Sequence, residues 1–148
     1  MATIKFVDGR DRNLVTYQER AKDDPALKAI LDRLPPGEGE GATFTHHDGE
    51  VDAPQLVEIQ MPPNTRVAAH AHATDEIIVI REGGLRFGKQ VYGVGSSIFV
   101  PKMTLYSFEV GPEGVTFYNF RPTAGASLIS KDDFMAMRKG TSEAGDTA

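Results

Sequence analysis

The chain has 148 residues, 40% hydrophobic and 25% charged, which is the make-up of one soluble globular domain able to bury its own core. It contains no cysteine, so disulfides and thiolate metal sites are excluded and any bound ion must sit on nitrogen and oxygen ligands. The formal net charge of -5, with no basic block interleaved with aromatics, argues against nucleic acid as a partner.

The N-terminus MATIKFVDGRDR is charged where a secretory leader needs an apolar stretch. The longest apolar runs, such as Ile77 to Ile80, are far too short to span a bilayer. A cytoplasmic protein with no membrane partner is the resulting expectation. Two short apolar pieces, IKFV and LVTY, are separated by a turn signal at Asp8-Gly9. In DDPALKAILDRL, Asp24 can cap and Pro25 suits the first helical position. Leu27, Ile30, Leu31 and Leu34 fall on one helical face. The pattern predicts an amphipathic helix of about three turns, ended by the loop PPGEGEG from Pro35 to Gly41.

From Ala42 to Arg121 the texture changes to short β-rich runs punctuated by Gly, Pro and Asp-Gly. These are ATFTHH, QLVEIQM, TRVAAHAH, EIIVI, LRFG, SIFV, TLYSFEV and VTFYNFR. Their spacing predicts an all-β sandwich or barrel with no interleaved helices. A second short helix, KDDFMAMRK, follows Ser130, which forms a capping box with Asp133. The tail GTSEAGDTA reads as disordered. One domain results: residues 1–41 pack on a barrel of residues 42–121, and residues 122–148 supply the last helix and tail.

The chemistry concentrates at His70-Ala71-His72. Alternate residues of a strand share a face, so both imidazoles project to one side. After a tight turn at Ala73-Thr74-Asp75, Glu76 opens the next β-run, and a strand folding back would bring its carboxylate near the rings. Two imidazoles and one carboxylate leave other coordination positions open. That set favours iron(II), although manganese, nickel, cobalt or zinc also fit. Two surface histidines on an edge strand beside an exposed Glu would need no metal.

The stretch HAHATDEIIVIREG reads His-x-His, three residues, Glu, six residues, Gly83. It resembles the first motif of the cupin superfamily, H-x-H-x(3,4)-E-x(6)-G. The family's glycine six residues before the first histidine is Asn64 here, and GSSIFVP places Gly95 six residues before Pro101 as in the second motif. The resemblance implies a cupin-like double-stranded β-helix, a jelly-roll barrel, with His70, His72 and Glu76 as metal ligands. It also implies a homodimer. IKFV and LVTY are the segments to pair between copies, because an open strand edge invites a partner.

Where the family's second motif reads P-x-G-x-x-H, this chain has Pro101, Met103 and Tyr106. A tyrosine therefore stands in place of the usual fourth ligand. Tyr106 could ligate as phenolate, act as a catalytic hydrogen-bond donor or proton relay, or simply pack. His46 and His47, just before Asp48-Gly49, offer another route to a fourth ligand. Alternation sends only one of them inward, and both could equally flank an exposed turn. Strand parity puts Arg66 and Ala68 on the face of His70 and His72, Ile78 and Ile80 with Glu76, and Phe108 with Tyr106. Arg66, Ile78 and Phe108, with Glu58, Gln60 and Asn119, are thus expected to line a mostly apolar small-molecule pocket.

The resemblance implies a menu of reactions rather than one. The vacant positions of the ligand set lean toward a non-haem iron(II) dioxygenase, with a lyase or isomerase next. A non-catalytic binding or sensory module is the alternative, and a barrel with a vestigial site is a third.

Overall fold

The computed structural model describes residues 3–49, 52–124 and 128–146. The N-terminal segment departs from expectation. IKFV is not a strand: it lies in irregular backbone with Ile4 78% and Phe6 87% exposed. Asp8-Gly9 starts a single 3-10 turn, Gly9–Asp11, in which the Asp8 carboxylate accepts from the Arg10 amide at 2.9 Å. LVTY yields only β1 (Val15–Thr16), after which Thr16 caps α1 (Tyr17–Ala21) by accepting from the Glu19 amide. Helix α2 (Pro25–Asp32) forms as Asp24 and Pro25 foretold, with the Asp24 side chain accepting from Leu27 N at 3.1 Å. It ends at Asp32, two residues short of Leu34 and ahead of the paired prolines 35 and 36, which bar further helix.

The barrel strands are β2 (Ala42–His47), β3 (Gln55–Met61), β4 (Arg66–His72), β5 (Glu76–Phe87), β6 (Gln90–Tyr92), β7 (Ser97–Val100), β8 (Tyr106–Arg121) and β9 (Leu128–Ser130). Two pairs of runs that the sequence separates are continuous. EIIVI and LRFG form β5, and SFEV runs on into VTFYNFR as β8. Their glycines mark bulges rather than turns. Gly83 has φ +70, and the register of β5 against β8 shifts on either side of it. A Cβ at Gly83 would lie 1.9 Å from the Gly114 carbonyl oxygen, so no side chain fits. The strand after Asp48-Gly49, β3, begins at Gln55.

These long, bent strands close the fold. The C-terminal half of β8 lies between β3 and β5, while its N-terminal half lies between β4 and β5. One layer thus runs β1-β2-β3-β8-β5-β7 and the other β9-β4-β8-β5-β6, every pair antiparallel. This is the expected jelly-roll barrel. Its interior is apolar at one end, where Met61, Ile78, Ile80, Leu85, Phe108, Val110, Val115 and Phe117 form a single cluster. Each such side chain contributes roughly 1.5–3 kcal/mol on leaving water.

After β9, Ser130 Oγ accepts from the Asp133 amide at 3.1 Å and starts α3 (Lys131–Asp146). The helix continues through most of the tail read as disordered, and only residues 147–148 of that tail lie outside the described residues. Phe134, 6% exposed, anchors its first turn. Among the described residues no helix is long and apolar enough to cross a membrane.

Candidate functional site

The other end of the barrel interior is polar. His70 and His72 come from β4, Glu76 opens β5, and Tyr106, Asn119 and Arg121 come from the two ends of β8. His70 sits directly opposite Tyr106 in the β4–β8 ladder, with ring centroids 4.4 Å apart. Two backbone clamps bring the motif regions together. Met103 N donates to the His72 carbonyl at 2.8 Å, and Lys102 N donates to Asp75 Oδ1 at 2.8 Å. Asn64 and Met103, the positions where the resembled family carries glycine, both have positive φ, 63° and 55°. Asn tolerates that conformation; Met is strained in it.

A bulge corrects one parity expectation. Between Val67 and His70 the β4 register slips by one residue, so Val67 opposes Phe108 while His70 opposes Tyr106. Val67 therefore packs on the core, and Arg66 and Ala68 point out. Arg66 is 74% exposed and pairs with Glu109 at 3.7 Å, not with the site. The same bulge presents the Ala68 carbonyl to His70 Nδ1 at 2.8 Å. A carbonyl accepts only from a protonated nitrogen, which leaves Nε2 of His70 as the nitrogen with the lone pair.

The imidazoles of His70 and His72 lie 5.1 Å apart, centroid to centroid, at 87°. Two imidazoles sharing one ion through bonds of about 2.1 Å hold their rings at about this spacing. Glu76 is 1% exposed. Its Oε1 accepts from the Tyr106 hydroxyl, and its Oε2 accepts from Asn119 Nδ2 at 2.9 Å and Arg121 Nη2 at 3.2 Å. Burial pushes this carboxyl up, but the donors Tyr106 and Asn119 and the charges of His72 and Arg121 outweigh it and hold the pKa below the usual range. Burial and the neighbouring carboxylate push Tyr106 the other way, so its phenol keeps its proton. His70 is lowered by burial, against the pull of Ala68 and Glu76, and favours the neutral form a ligand needs.

The ring spacing thus fits a shared divalent ion, the tautomer of His70 frees its Nε2 for one, and the carboxylate completes the donor set in chemistry. As the side chains stand, however, no three His, Cys, Asp or Glu groups among the described residues converge to hold a metal ion. Glu76 is engaged by its three donors instead.

Of the remaining expected site residues, Asn119 joins the cluster, while Ile78 and Phe108 lie in the adjoining apolar core, Phe108 stacked on Tyr106. Glu58, Gln60 and His46 do not reach the site. Ile59 packs on the core, so Glu58 and Gln60, on either side of it, face outward. Glu58 is nonetheless 0% exposed, enclosed by Arg12 at 3.2 Å, Arg81 at 3.5 Å and His46 at 3.2 Å. Gln60 lines a cleft of about 580 Å³ with Thr16, Glu40, Glu82 and Glu113. His47 opposes Leu56 beyond a bulge in β2. Arg121 was not foreseen. Its signal was parity: in VTFYNFR it shares the inward face of Asn119, where an arginine needs a carboxylate.

No protein-family model and no curated protein matches the chain. Solved structures do. An RmlC-like cupin from Ralstonia eutropha JMP134 is 12% identical, with a TM-score of 0.60 over 96% of this chain and 88% of its own. An acetylacetone dioxygenase from Acinetobacter johnsonii is 14% identical, with a TM-score of 0.62 over 90% and 83%. The polyketide cyclase RemF from Streptomyces resistomycificus is 21% identical, with a TM-score of 0.60 over 92% and 94%. At such identities the likeness is one of fold.

Proposed function

Taking the cupin fold as the frame, we propose that the chain is a metal-dependent enzyme acting on a small oxygenated molecule at the polar end of its barrel. One observation carries this: two adjacent buried imidazoles at a shared-ion spacing, with His70 locked by Ala68 so that Nε2 is the ligating atom. His70, His72 and Glu76 would hold one divalent ion, with iron(II) favoured by the ligand set and manganese, nickel, cobalt or zinc also compatible. When bound, such an ion activates oxygen or polarises a carbonyl. A dioxygenase is the first choice, and a lyase or isomerase the second.

The chain's own residues supply the rest. Tyr106, held protonated beside the carboxylate, serves as hydrogen-bond donor and proton relay. Asn119 and Arg121 orient Glu76. Each keeps a buried polar atom, Oδ1 and Nε, with no protein hydrogen bond. An acceptor and a donor from residues two apart on β8 suit a substrate bearing a hydroxyl or enol next to a carbonyl oxygen. Ile78 and Phe108 give the apolar floor.

The test is anaerobic loading with iron(II), admission of oxygen, and measurement of its consumption with diketones, catechols and hydroxy-ketones. Turnover that disappears in His70→Ala is expected. A second reading, a non-catalytic binding module, draws on the full occupation of Glu76 by protein donors. Tight ligand binding without turnover on any ion would select it. We further propose a homodimer in the cytoplasm, paired at the open edge beside β1, where Ile4 and Phe6 stand exposed. A monomer in sedimentation at micromolar concentration contradicts the pairing.

A further inference from the structure

Resting on the metal-site reading above, we propose that Tyr106 is not a ligand but a competitor, which occupies the Glu76 oxygen the ion needs and is displaced when the ion binds. The argument lies in how the two carboxylate oxygens are divided. Oε2 is held by Asn119 and Arg121. These two side chains project from one face of β8, whose backbone is bonded on both edges, to β3 and to β5. Arg121 is further fixed by Gln55 Oε1 at 3.3 Å. Oε1 accepts a hydrogen bond from Tyr106, the one donor it has among the described residues.

An incoming cation therefore meets one oxygen clamped by two donors on a rigid strand and one oxygen shared with a single hydroxyl. Displacing the single donor is the smaller loss. Tyr106 has support without that bond: its ring stacks on Phe108 at 18° and lies 4.4 Å from His70, on the ligand side of the barrel. Its hydroxyl, released from Oε1, remains beside the same imidazoles and becomes a donor for whatever oxygen binds there. Ion binding and the supply of a proton donor are thereby coupled, a role that a histidine ligand at this position would not perform.

The proposal makes an inverted expectation for substitution. Removing a true ligand weakens binding; removing a competitor strengthens it. Cobalt(II) titrated into the full chain, followed by calorimetry and by ultraviolet difference absorbance of tyrosine, reads both events without any catalytic assay. Tyr106→Phe is expected to bind cobalt(II) roughly ten-fold tighter, the size of one hydrogen bond to a charged group. The wild-type chain is expected to show a tyrosine difference signal on saturation that Tyr106→Phe lacks. Equal or weaker binding by Tyr106→Phe, or wild-type binding without that signal, overturns the competitor role and leaves the metal site standing. Failure of the wild-type chain to take up cobalt(II), manganese(II) or iron(II) overturns both.

Discussion

Glu58 and Glu76 are both removed from water, at 0% and 1% exposure, yet they sit on opposite faces of the barrel wall and are neutralised in different ways. Glu58, facing outward, is enclosed by two arginines, Arg12 from the N-terminal segment and Arg81 from β5, and by the ring of His46 from β2. Glu76, facing inward, has one arginine, two neutral donors and a pair of imidazoles. A carboxylate enclosed by two arginines and an imidazole is spent as a tether, here fastening the N-terminal segment to the sheet. Glu76, by contrast, has its arginine on Oε2 and a neutral hydroxyl on Oε1, the oxygen assigned above to an ion. Burial alone therefore does not mark a functional acid; the kind of partner does.

The largest expected effect separates the two carboxylates directly. Glu76→Ala leaves Tyr106 and Asn119 without this acceptor, and leaves the Arg121 guanidinium, 14% exposed, without the carboxylate it pairs with. It should cost about 3–5 kcal/mol in chemical denaturation and abolish ion binding. Glu58→Ala leaves arginines that already reach solvent, at 28% and 36% exposure. Its cost should be smaller, about 1–3 kcal/mol, with ion binding intact. Loss of ion binding in both would erase the distinction.

Alkaline titration probes a third desolvated group, the Tyr17 phenol at the start of α1. Burial raises the Tyr17 phenol from 10.0 to about 12, against the pull of Arg20 and Arg121. Its folded pKa is thus above the unfolded one, so the folded state holds the extra proton between these values. The stabilisation is fully present below pH 10 and is lost as pH rises toward 12. Tyr17→Phe should remove that loss, on the order of 1–2 kcal/mol. An unchanged alkaline limb in Tyr17→Phe would contradict the burial.

A smaller effect concerns the loop leading to Tyr106. Met103 holds φ at 55°, which costs a side chain about 1–2 kcal/mol that glycine escapes. After the greater entropy that glycine loses on folding, Met103→Gly should stabilise the chain by about 0.5–1 kcal/mol. Destabilisation by that change would mean that the Met103 side chain contributes more than its backbone costs. Smallest of all, Arg66→Ala should leave ion binding unchanged and stability within about 0.5 kcal/mol, because Arg66 points to solvent.

The jelly-roll barrel and the helix start at Asp24-Pro25 were legible because alternation and capping are local signals. The grouping of His70, His72, Glu76, Tyr106 and Asn119 was legible in part, since strand parity and motif spacing constrain faces. What escaped was set by irregularity. The slip between Val67 and His70 cannot be seen in RVAAHAH, yet it turns Arg66 outward and delivers the Ala68 carbonyl to His70. Gly83 and Gly114 look like turn punctuation, and only their close packing shows that they let β5 and β8 run on through bends. Arg121 is 45 residues from Glu76 in sequence, and no local pattern pairs them. The outward yet buried Glu58 escaped for a related reason, as its cover comes from Arg12 in a segment with no regular pairing of its own.

Metal stoichiometry addresses the central claim most directly. Wild-type protein purified without chelator, then reconstituted anaerobically with iron(II), should hold one ion per chain by elemental analysis, and His70→Ala and His72→Ala should each lose it while remaining folded. A wild-type chain that stays metal-free after reconstitution, or variants that retain the ion, would contradict the account.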